Sequence, residues 1–522
     1  MQQARWRSAV VLCLAAVLAA GRPAAAHPLD IIPFDDVSYA DLYRLAAAGL
    51  APLWAATVRP LTRLQLARMV ARSLDRLVAD RAAFSPDSVL TLEQLVLQFA
   101  DELALLGYRV VQPPGGPSAQ TVTGWGVQLN RALVWRVGSG ASPSIDGSRL
   151  PAPGSRRWAT DAGDLLRLEV SGTAGLGPLL MVGARLEHAV LPGPLTIGVD
   201  RLYASASGDT VLAQAGRDRH WWGPGARGAF LLSDNAGPLQ TLRLSREGDR
   251  LRIVKLLGLL SEGAERYLYG MRVDWLATDT LRLGVGETVV ASGSVYLPYA
   301  LNPIPLLTYG LDLWIRQQQM GITDNYNIAL DFDWRIGRGT TLYGELYVDN
   351  LSTGSNAFPS IGAGTAGLFF GNPFQDGRTD LRLEHTRATN WIYSTAGGAS
   401  DYVYSGRALG HWCAPDCELW SADLSRRFDS GSVLTLGYDL VRKGEGQLGQ
   451  PLPANPADAW ANLYLSGVVE TTQAWRLRYS WMQDPSLQQE IGAGWSSVLN
   501  ASHLAGQTRA DWVVWWEARY EF

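Results

Sequence analysis

Two periods divide the chain. Between residues 35 and 108 apolar side chains recur at helical spacing, and from about residue 120 to the end they recur at every second position. In the first part Leu92, Leu95, Val96, Phe99, Leu103 and Leu106 form one stripe, which predicts a helix buried along that face. Leu66, Val70, Leu74 and Leu77 form a second, and Thr62 with Gln65 fits a capping box in front of it, in which side chains satisfy the first backbone donors. Leu42, Leu45 and Ala46 form a third, with Ser38 and Asp41 read as its capping box and Gly49 as a left-handed stop. Three helices with one apolar face each predict a small three-helix core. The run Pro113-Pro114-Gly115-Gly116-Pro117-Ser118 cannot continue a helix and reads as a linker, residues 113–118.

Past the linker the alternation is strict. Ile328, Leu330, Phe332, Trp334 and Ile336 fall on one face of a strand, with Ala329, Asp331, Asp333 and Arg335 on the other. Leu342, Leu346 and Val348 oppose Tyr343, Glu345, Tyr347 and Asp349. Trp475, Leu477, Tyr479 and Trp481 oppose Arg476, Arg478 and Ser480, and 166–170, 381–384 and 420–428 repeat the pattern. A soluble sandwich also alternates, but its strands are shorter and its polar face meets bulk water. At about 22 residues per strand and connection, the stretch after residue 118 holds about 18 strands of the roughly 9 to 11 residues that a tilted membrane crossing takes. The predicted fold is mainly β: a large antiparallel transmembrane β-barrel over residues 119–522, preceded by a helical domain over 27–112.

The last strand supports this independently. Trp512, Val514, Trp516, Ala518, Tyr520 and Phe522 share one face. In water that face would be an unprotected apolar edge, whereas in lipid a closed ladder satisfies every backbone group. Trp515, Trp516 and Tyr520 suit the aromatic girdles of such a barrel. A terminal strand with Tyr two residues before a final Phe resembles the assembly signal of bacterial outer-membrane barrels, which implies the barrel assembly machinery as a partner through Phe522.

Composition narrows the picture. Charged residues make up 18% of the chain, below the usual value of about 25% for soluble domains, so something replaces charged surface. With 55 Gly, 20 Trp and 19 Tyr the chain suits many turns and aromatic-edged strands and excludes a coiled coil or a polar linker. Residues 1–26 read as a secretory signal: Arg5 and Arg7 precede the apolar run 8–20, and Ala24-Ala25-Ala26 offers a cleavage site. The formal charge of −4 becomes more acidic once Arg5, Arg7 and Arg22 leave, which excludes a general attraction for nucleic acid. Beyond the leader only Cys413 and Cys417 remain. In an oxidising compartment they read first as a local disulfide, with a metal site of His411, Cys413, Asp416 and Cys417, or two free thiols, as alternatives.

The densest chemistry lies in Gly216-Arg-Asp-Arg-His-Trp-Trp-Gly-Pro-Gly-Ala-Arg-Gly228. Its formal G-x-G-x-x-G lacks the following helix that a dinucleotide site needs, so no cofactor is expected. Arg217, Arg219, His220, Trp221, Trp222 and Arg227 are the candidate polysaccharide-binding residues, with guanidinium forks for carboxylates and indole faces for sugar rings. The same segment also reads as an inward-folded constriction packed against the barrel wall. No G-x-S-x-G or H-E-x-x-H occurs. Asp331, Asp333, Glu345 and Asp349 fit a polar barrel interior, with Arg335, Arg476 and Arg478 as their expected partners, better than a catalytic pair.

At Arg217-Asp-Arg-His-Trp-Trp-Gly-Pro-Gly225, followed by Leu231-Leu-Ser-Asp-Asn-Ala236, the chain resembles the Wzi family of capsule assembly proteins. Leu342-Tyr-Gly-Glu-Leu-Tyr-Val-Asp349, Gly406-Arg-Ala-Leu-Gly-His411 and 419–428 extend the likeness over most of residues 120–522. The resemblance implies an outer-membrane barrel of about 18 strands closed by a periplasmic helical bundle. It also implies a lectin-like, non-enzymatic role in attaching or organising capsular or exported polysaccharide, with outer-membrane lipid around it and no cofactor. Phe34-Asp-Asp-Val37, Gly49-Leu50 and Arg59-Pro-Leu-Thr-Arg63 resemble a surface-layer-homology module. That would make the helical domain a tether to cell-wall polymer and the barrel a porin or solute channel, instead of a barrel whose helices form a plug.

Overall fold

The structure, a computed structural model, describes residues 28–110 and 125–521 apart from 139–164, 176–179, 191–195, 261–265, 305–323, 351–357 and a few shorter breaks; for 125–200 it describes the strands alone. The signal segment, the linker and Phe522 lie outside the described residues.

Helix α1 (Val37–Ala48), α2 (Arg63–Ala79), α3 (Pro86–Gln98) and α4 (Ala100–Leu105) enclose one apolar core of Leu42, Leu45, Leu66, Val70, Leu92, Leu95, Phe99 and Leu103. Thr62 and Gln65 make the capping box at the start of α2, and Gly49 ends α1 at φ 94°. Two expectations are corrected. The cap of α1 is Asp36, whose carboxylate accepts from the Ser38 N–H at 2.8 Å, so the helix begins before Ser38. Asp41 stays within α1, but its carboxylate turns away from the helix N-terminus and meets Arg427 of the barrel at 2.5 Å. The third stripe is also not one helix, because the chain bends at Phe99 between α3 and α4. There Arg63 donates to the Gln98 carbonyl at 2.7 Å and to Glu102 at 2.6 Å, which takes a carbonyl that a straight helix would use internally.

Eighteen strands among the described residues close into one antiparallel barrel. They are β1 (Trp125–Gly138), β2 (Leu165–Gly175), β3 (Leu180–Val190), β4 (Thr196–Ser207), β5 (Val211–Asp218), β6 (Leu239–Glu247), β7 (Leu251–Leu259), β8 (Arg266–Leu276) and β9 (Leu281–Ser292). Then follow β10 (Asn325–Gly337), β11 (Thr340–Asn350), β12 (Ile361–Gly371), β13 (Thr379–Ala388), β14 (Cys417–Arg427), β15 (Val433–Lys443), β16 (Glu470–Asp484), β17 (Leu487–Leu499) and β18 (Thr508–Glu521). Each strand pairs with the next in sequence, and β1 pairs with β18 from Gln128 opposite Glu521 to Gly138 opposite Asp511. No edge is left unpaired, as a bilayer demands.

The alternation read from the sequence sorts outside from inside. On β10, Leu330, Trp334 and Ile336 are exposed while Ala329, Asp331 and Asp333 are buried. Trp475, Leu477, Tyr479, Trp512 and Val514 likewise face out, and Tyr343, Glu345, Tyr347 and Arg476 face in. No helix among the described residues is long and apolar enough to cross a membrane.

The connections are short at one end of the barrel and long at the other. Residues 208–210, 248–250, 277–280, 338–339 and 428–432 turn at the first end; 219–238, 389–416 and 444–469 lie at the second. The helices lie across the short-turn end and grip it turn by turn. Arg68 donates to the Gly208 carbonyl at 3.1 Å, Arg72 to Gly248 at 3.0 Å, and Gly339 N–H donates back to Ala47 at 3.0 Å. Tyr43 packs edge-on against Tyr343 and Phe369 inside the wall. Replacing Tyr43 with Ala removes that aromatic anchor at a cost of about 3–5 kcal/mol. The expected outcome is faster proteolysis of residues 28–110 while the barrel keeps its resistance to unfolding by detergent; unchanged proteolysis would show that the turn contacts alone hold the helices.

Candidate functional site

Inside the barrel two chain segments meet. From the long-loop end, residues 219–238 fold inward after β5. From the short-turn end, residues 54–62 of the helical domain rise into the lumen. Trp221 and Trp222 pair antiparallel with Arg59 and Val58, and the Gly223 N–H donates to the Thr57 carbonyl at 2.9 Å. The Trp222 N–H donates to Leu232 within its own segment at 2.9 Å. The wall accommodates the fit: a Cβ on Gly270 would lie 2.8 Å from the Trp222 ring, and one on Gly228 would lie 2.3 Å from His411. Close packing therefore accounts for Gly228, one of the three glycines of the formal nucleotide motif.

An irregular segment in an enclosed lumen must find partners for its backbone groups. Two wall carboxylates supply them. Glu384 accepts from the Ala226 and Arg227 N–H groups at 2.6 and 3.0 Å, and Glu345 accepts from the Phe230 N–H at 3.1 Å. The Arg227 side chain forms a fork on Asp423 at 2.7 and 2.8 Å and reaches Asp439 at 3.0 Å; Arg476 approaches Asp439 at 3.0 Å from the other side. Two arginines against two aspartates leave this cluster neutral.

A second neutral cluster holds the other segment. Arg252, Arg272 and Arg282 interleave with Asp274, Asp331 and Asp333, all of them buried. Arg252 also donates to the Trp54 carbonyl at 3.0 Å and to the Thr57 hydroxyl at 2.7 Å, and Arg243 donates to the Pro60 carbonyl at 2.7 Å. The expected pairing of Asp331 and Asp333 with Arg335, Arg476 and Arg478 is corrected here. Arg335 sits at the short-turn end on the carbonyls of Ala46 and Asp279, Arg476 serves the first cluster, and Arg478 meets Glu490. Asp349 accepts from the Tyr393 N–H.

The long connection 389–416 closes over the inward segment. The Tyr393 and Tyr402 hydroxyls donate to the Phe230 and Leu231 carbonyls at 2.9 and 2.6 Å, and the Trp412 indole donates to Arg227 at 2.9 Å. His411 stacks on Phe230 with ring centroids 5.1 Å apart. Cys413 and Cys417 are joined by a disulfide, and Asp416 receives the Leu465 and Ser466 N–H groups at 2.5 and 3.0 Å. Among the described residues no set of His, Cys, Asp and Glu could hold a metal ion.

The six candidate residues thus lie in one place with unequal access. His220, Trp221, Trp222 and Arg227 are buried, Trp222 completely, and they contact protein where a sugar would have to lie. Arg217 and Arg219 are half-buried. Burial, with Arg243 and Arg201 nearby, pushes the His220 imidazole down to about 3, so it stays neutral beside the Thr241 hydroxyl, 3.0 Å away. Glu345, Glu384, Tyr393 and Tyr402 carry the packing and were not singled out as a set from the sequence; alternation places the two glutamates inside, but nothing local says that they receive another segment's backbone.

The family model for capsule assembly protein Wzi matches residues 160–511. Among solved structures the chain is similar to one described as Wzi, an outer membrane protein involved in group 1 capsule assembly in Escherichia coli and a carbohydrate-binding β-barrel. The two are 13% identical with a TM-score of 0.61, covering 94% of this chain and 99% of that one. Weaker likenesses include Pseudomonas aeruginosa OprD, 10% identical over 76% of this chain and 95% of that one, with a TM-score of 0.41. A loop-deletion mutant of Vibrio cholerae OmpT is 12% identical over 76% and 98%, with a TM-score of 0.35. No curated protein matches the chain.

Two outcomes test the lumen. Arg227→Ala leaves Asp423 and Asp439 to share Arg476, and should lower stability to urea by about 3–5 kcal/mol; a loss below about 1 kcal/mol would mean that the cluster does not anchor the segment. His220 is neutral when folded and gains a proton at about 6.5 when unfolded. Its contribution is therefore fully present above that pH and declines on acidification toward 3 by about 1.4 kcal/mol per unit. His220→Gln should flatten the stability profile between pH 6 and 4 relative to the parent protein, as followed by tryptophan fluorescence; parallel profiles would refute the buried neutral imidazole.

Proposed function

Since the chain belongs to the Wzi family of capsule assembly proteins, we propose that it is a non-enzymatic outer-membrane barrel whose long loops bind exported or capsular polysaccharide and support its attachment at the cell surface. Short turns are characteristic of the periplasmic end of such barrels and long loops of the outer end. On that rule the helical domain lies in the periplasm, and the loops 389–416 and 444–469 face outward. The observation that carries the reading is the pairing of Val58 and Arg59 with Trp221 and Trp222, where segments entering from opposite ends obstruct the lumen. A protein that fills its own channel so fully is suited to presenting a surface and poorly suited to passing solutes.

The same contacts favour a plug over a wall tether. Helix α1 uses Asp41, Tyr43 and Arg44 on the barrel itself, through Arg427, Phe369 and Asp380. The segment 219–238 then acts on polysaccharide indirectly. It supports the loop 389–416 from below, with Arg217 and Arg219 as the members of the candidate set that keep part of their surface. The mutual pairing of the lumen charges supports the non-enzymatic reading.

The purified full-length protein should pass no steady ionic current in planar bilayers and should retain exported polysaccharide in affinity electrophoresis. Shortening 221–236 to a Gly-Ser bridge should open a current while the barrel still resists detergent. A steady current through the unaltered protein would replace this reading with the porin.

A further inference from the structure

Outside the polysaccharide role, the outer wall carries a charged row where a lipid-facing surface should be apolar. Arg387 on β13, Glu418 on β14 and Arg442 on β15 are direct cross-strand neighbours. Arg387 and Glu418 alternate with buried residues and Arg442 is exposed between the half-buried Val441 and Lys443, so all three point away from the lumen. Glu418 divides its two oxygens, one to Arg442 at 2.8 Å and one to His385 at 3.3 Å. His385 lies over Trp420, with ring centroids 4.0 Å apart. Arg387 has no carboxylate among the described residues. Its guanidinium lies 3.7 Å from the centre of the Tyr464 ring, contributed by the outer loop 444–469. One carboxylate against two arginines leaves the row with surplus positive charge.

The depth of the row says what it meets. On β14 the outward side chains between Glu418 and Arg426 are Trp420, Ala422 and Leu424, with no charge among them. Eight residues at about 3.3 Å each are about 26 Å along the strand, or about 20 Å across the membrane at the usual tilt, close to the apolar band of about 25 Å. Arg426 marks the short-turn boundary and the Arg387–Glu418–Arg442 row the long-loop boundary. Charge deeper in lipid would be costly, but at this boundary it stands level with head groups.

We propose that this row is a binding site for the phosphate of an outer-leaflet lipid head group. Arg442, held in place by Glu418, and Arg387, flattened against Tyr464, present two guanidinium forks to the phosphate oxygens, a geometry that lysine could not reproduce. Trp420 below supplies the interfacial ring against the first acyl carbons. The site depends on the orientation of the barrel and not on polysaccharide binding by the loops.

The test uses the full-length protein in nonionic detergent with bisphosphorylated lipid A as probe, read by native mass spectrometry. The Arg387→Gln, Arg442→Gln double variant should bind the probe about tenfold more weakly or worse, since it loses two charge-assisted contacts. Arg378→Gln with Arg426→Gln, at the opposite boundary, should bind as the parent does. Dephosphorylated lipid A should bind the parent as weakly as the probe binds the double variant. Equal binding by parent and double variant, or equal binding of the dephosphorylated lipid, would overturn the site. Displacement of the probe by millimolar inorganic phosphate would overturn the lipid assignment in favour of a free-phosphate site. Heat-modifiable migration on gels checks that each variant is folded, and Arg387→Gln alone carries the same prediction, of smaller size, should the double variant fail to assemble.

Discussion

Irregular backbone placed inside a closed barrel must find partners there for its N–H and C=O groups, and this requirement organises the molecule. Glu345 and Glu384 are spent on the N–H groups of residues 226, 227 and 230, and the hydroxyls of Tyr393 and Tyr402 on the carbonyls of 230 and 231. The charges that remain around them are arranged so that each cluster sums to zero. Buried ion pairs of this kind add little net stability, but removing one partner is expensive. Their effect is to fix a single position for the inward segments, since a shifted register would leave a charge or a peptide group unsatisfied.

How much was legible in the sequence follows from the range of the forces involved. Period-two alternation reports which side of a wall each residue faces, so the outward Leu330 and Trp334 and the inward Asp331 and Glu345 were readable from β10 and β11 alone. Local capping chemistry was readable at Thr62 and Gln65. It misled at Ser38 and Asp41, because Asp41 is drawn to Arg427, far away in the chain. The bend at Phe99 was hidden for the same reason: Arg63, not any breaker residue, takes the Gln98 carbonyl.

The candidate site shows the same limit. The sequence concentrated attention on Arg217 to Gly228, and those residues do lie at the centre of the molecule. What it could not give was their partners. Arg227 reaches Asp423 and Asp439, both from strands more than 190 residues away, and Trp222 meets Val58 from the helical domain. Pairings of that separation leave no local trace. An aromatic-basic cluster therefore reads equally well as a sugar platform or as a buried plug until the contacts are known.

The meeting of residues 58–59 with 221–222 also ties together parts of the chain that the wall keeps apart. The ladder closes where the first barrel strand joins the last, β1 against β18, so this seam cannot zip until the final residues have been made and delivered. The helical domain precedes every strand in the chain, and its Val58 meets a loop that enters from the opposite mouth. The finished molecule is thus fastened twice, once around its wall at the seam and once through its lumen from mouth to mouth.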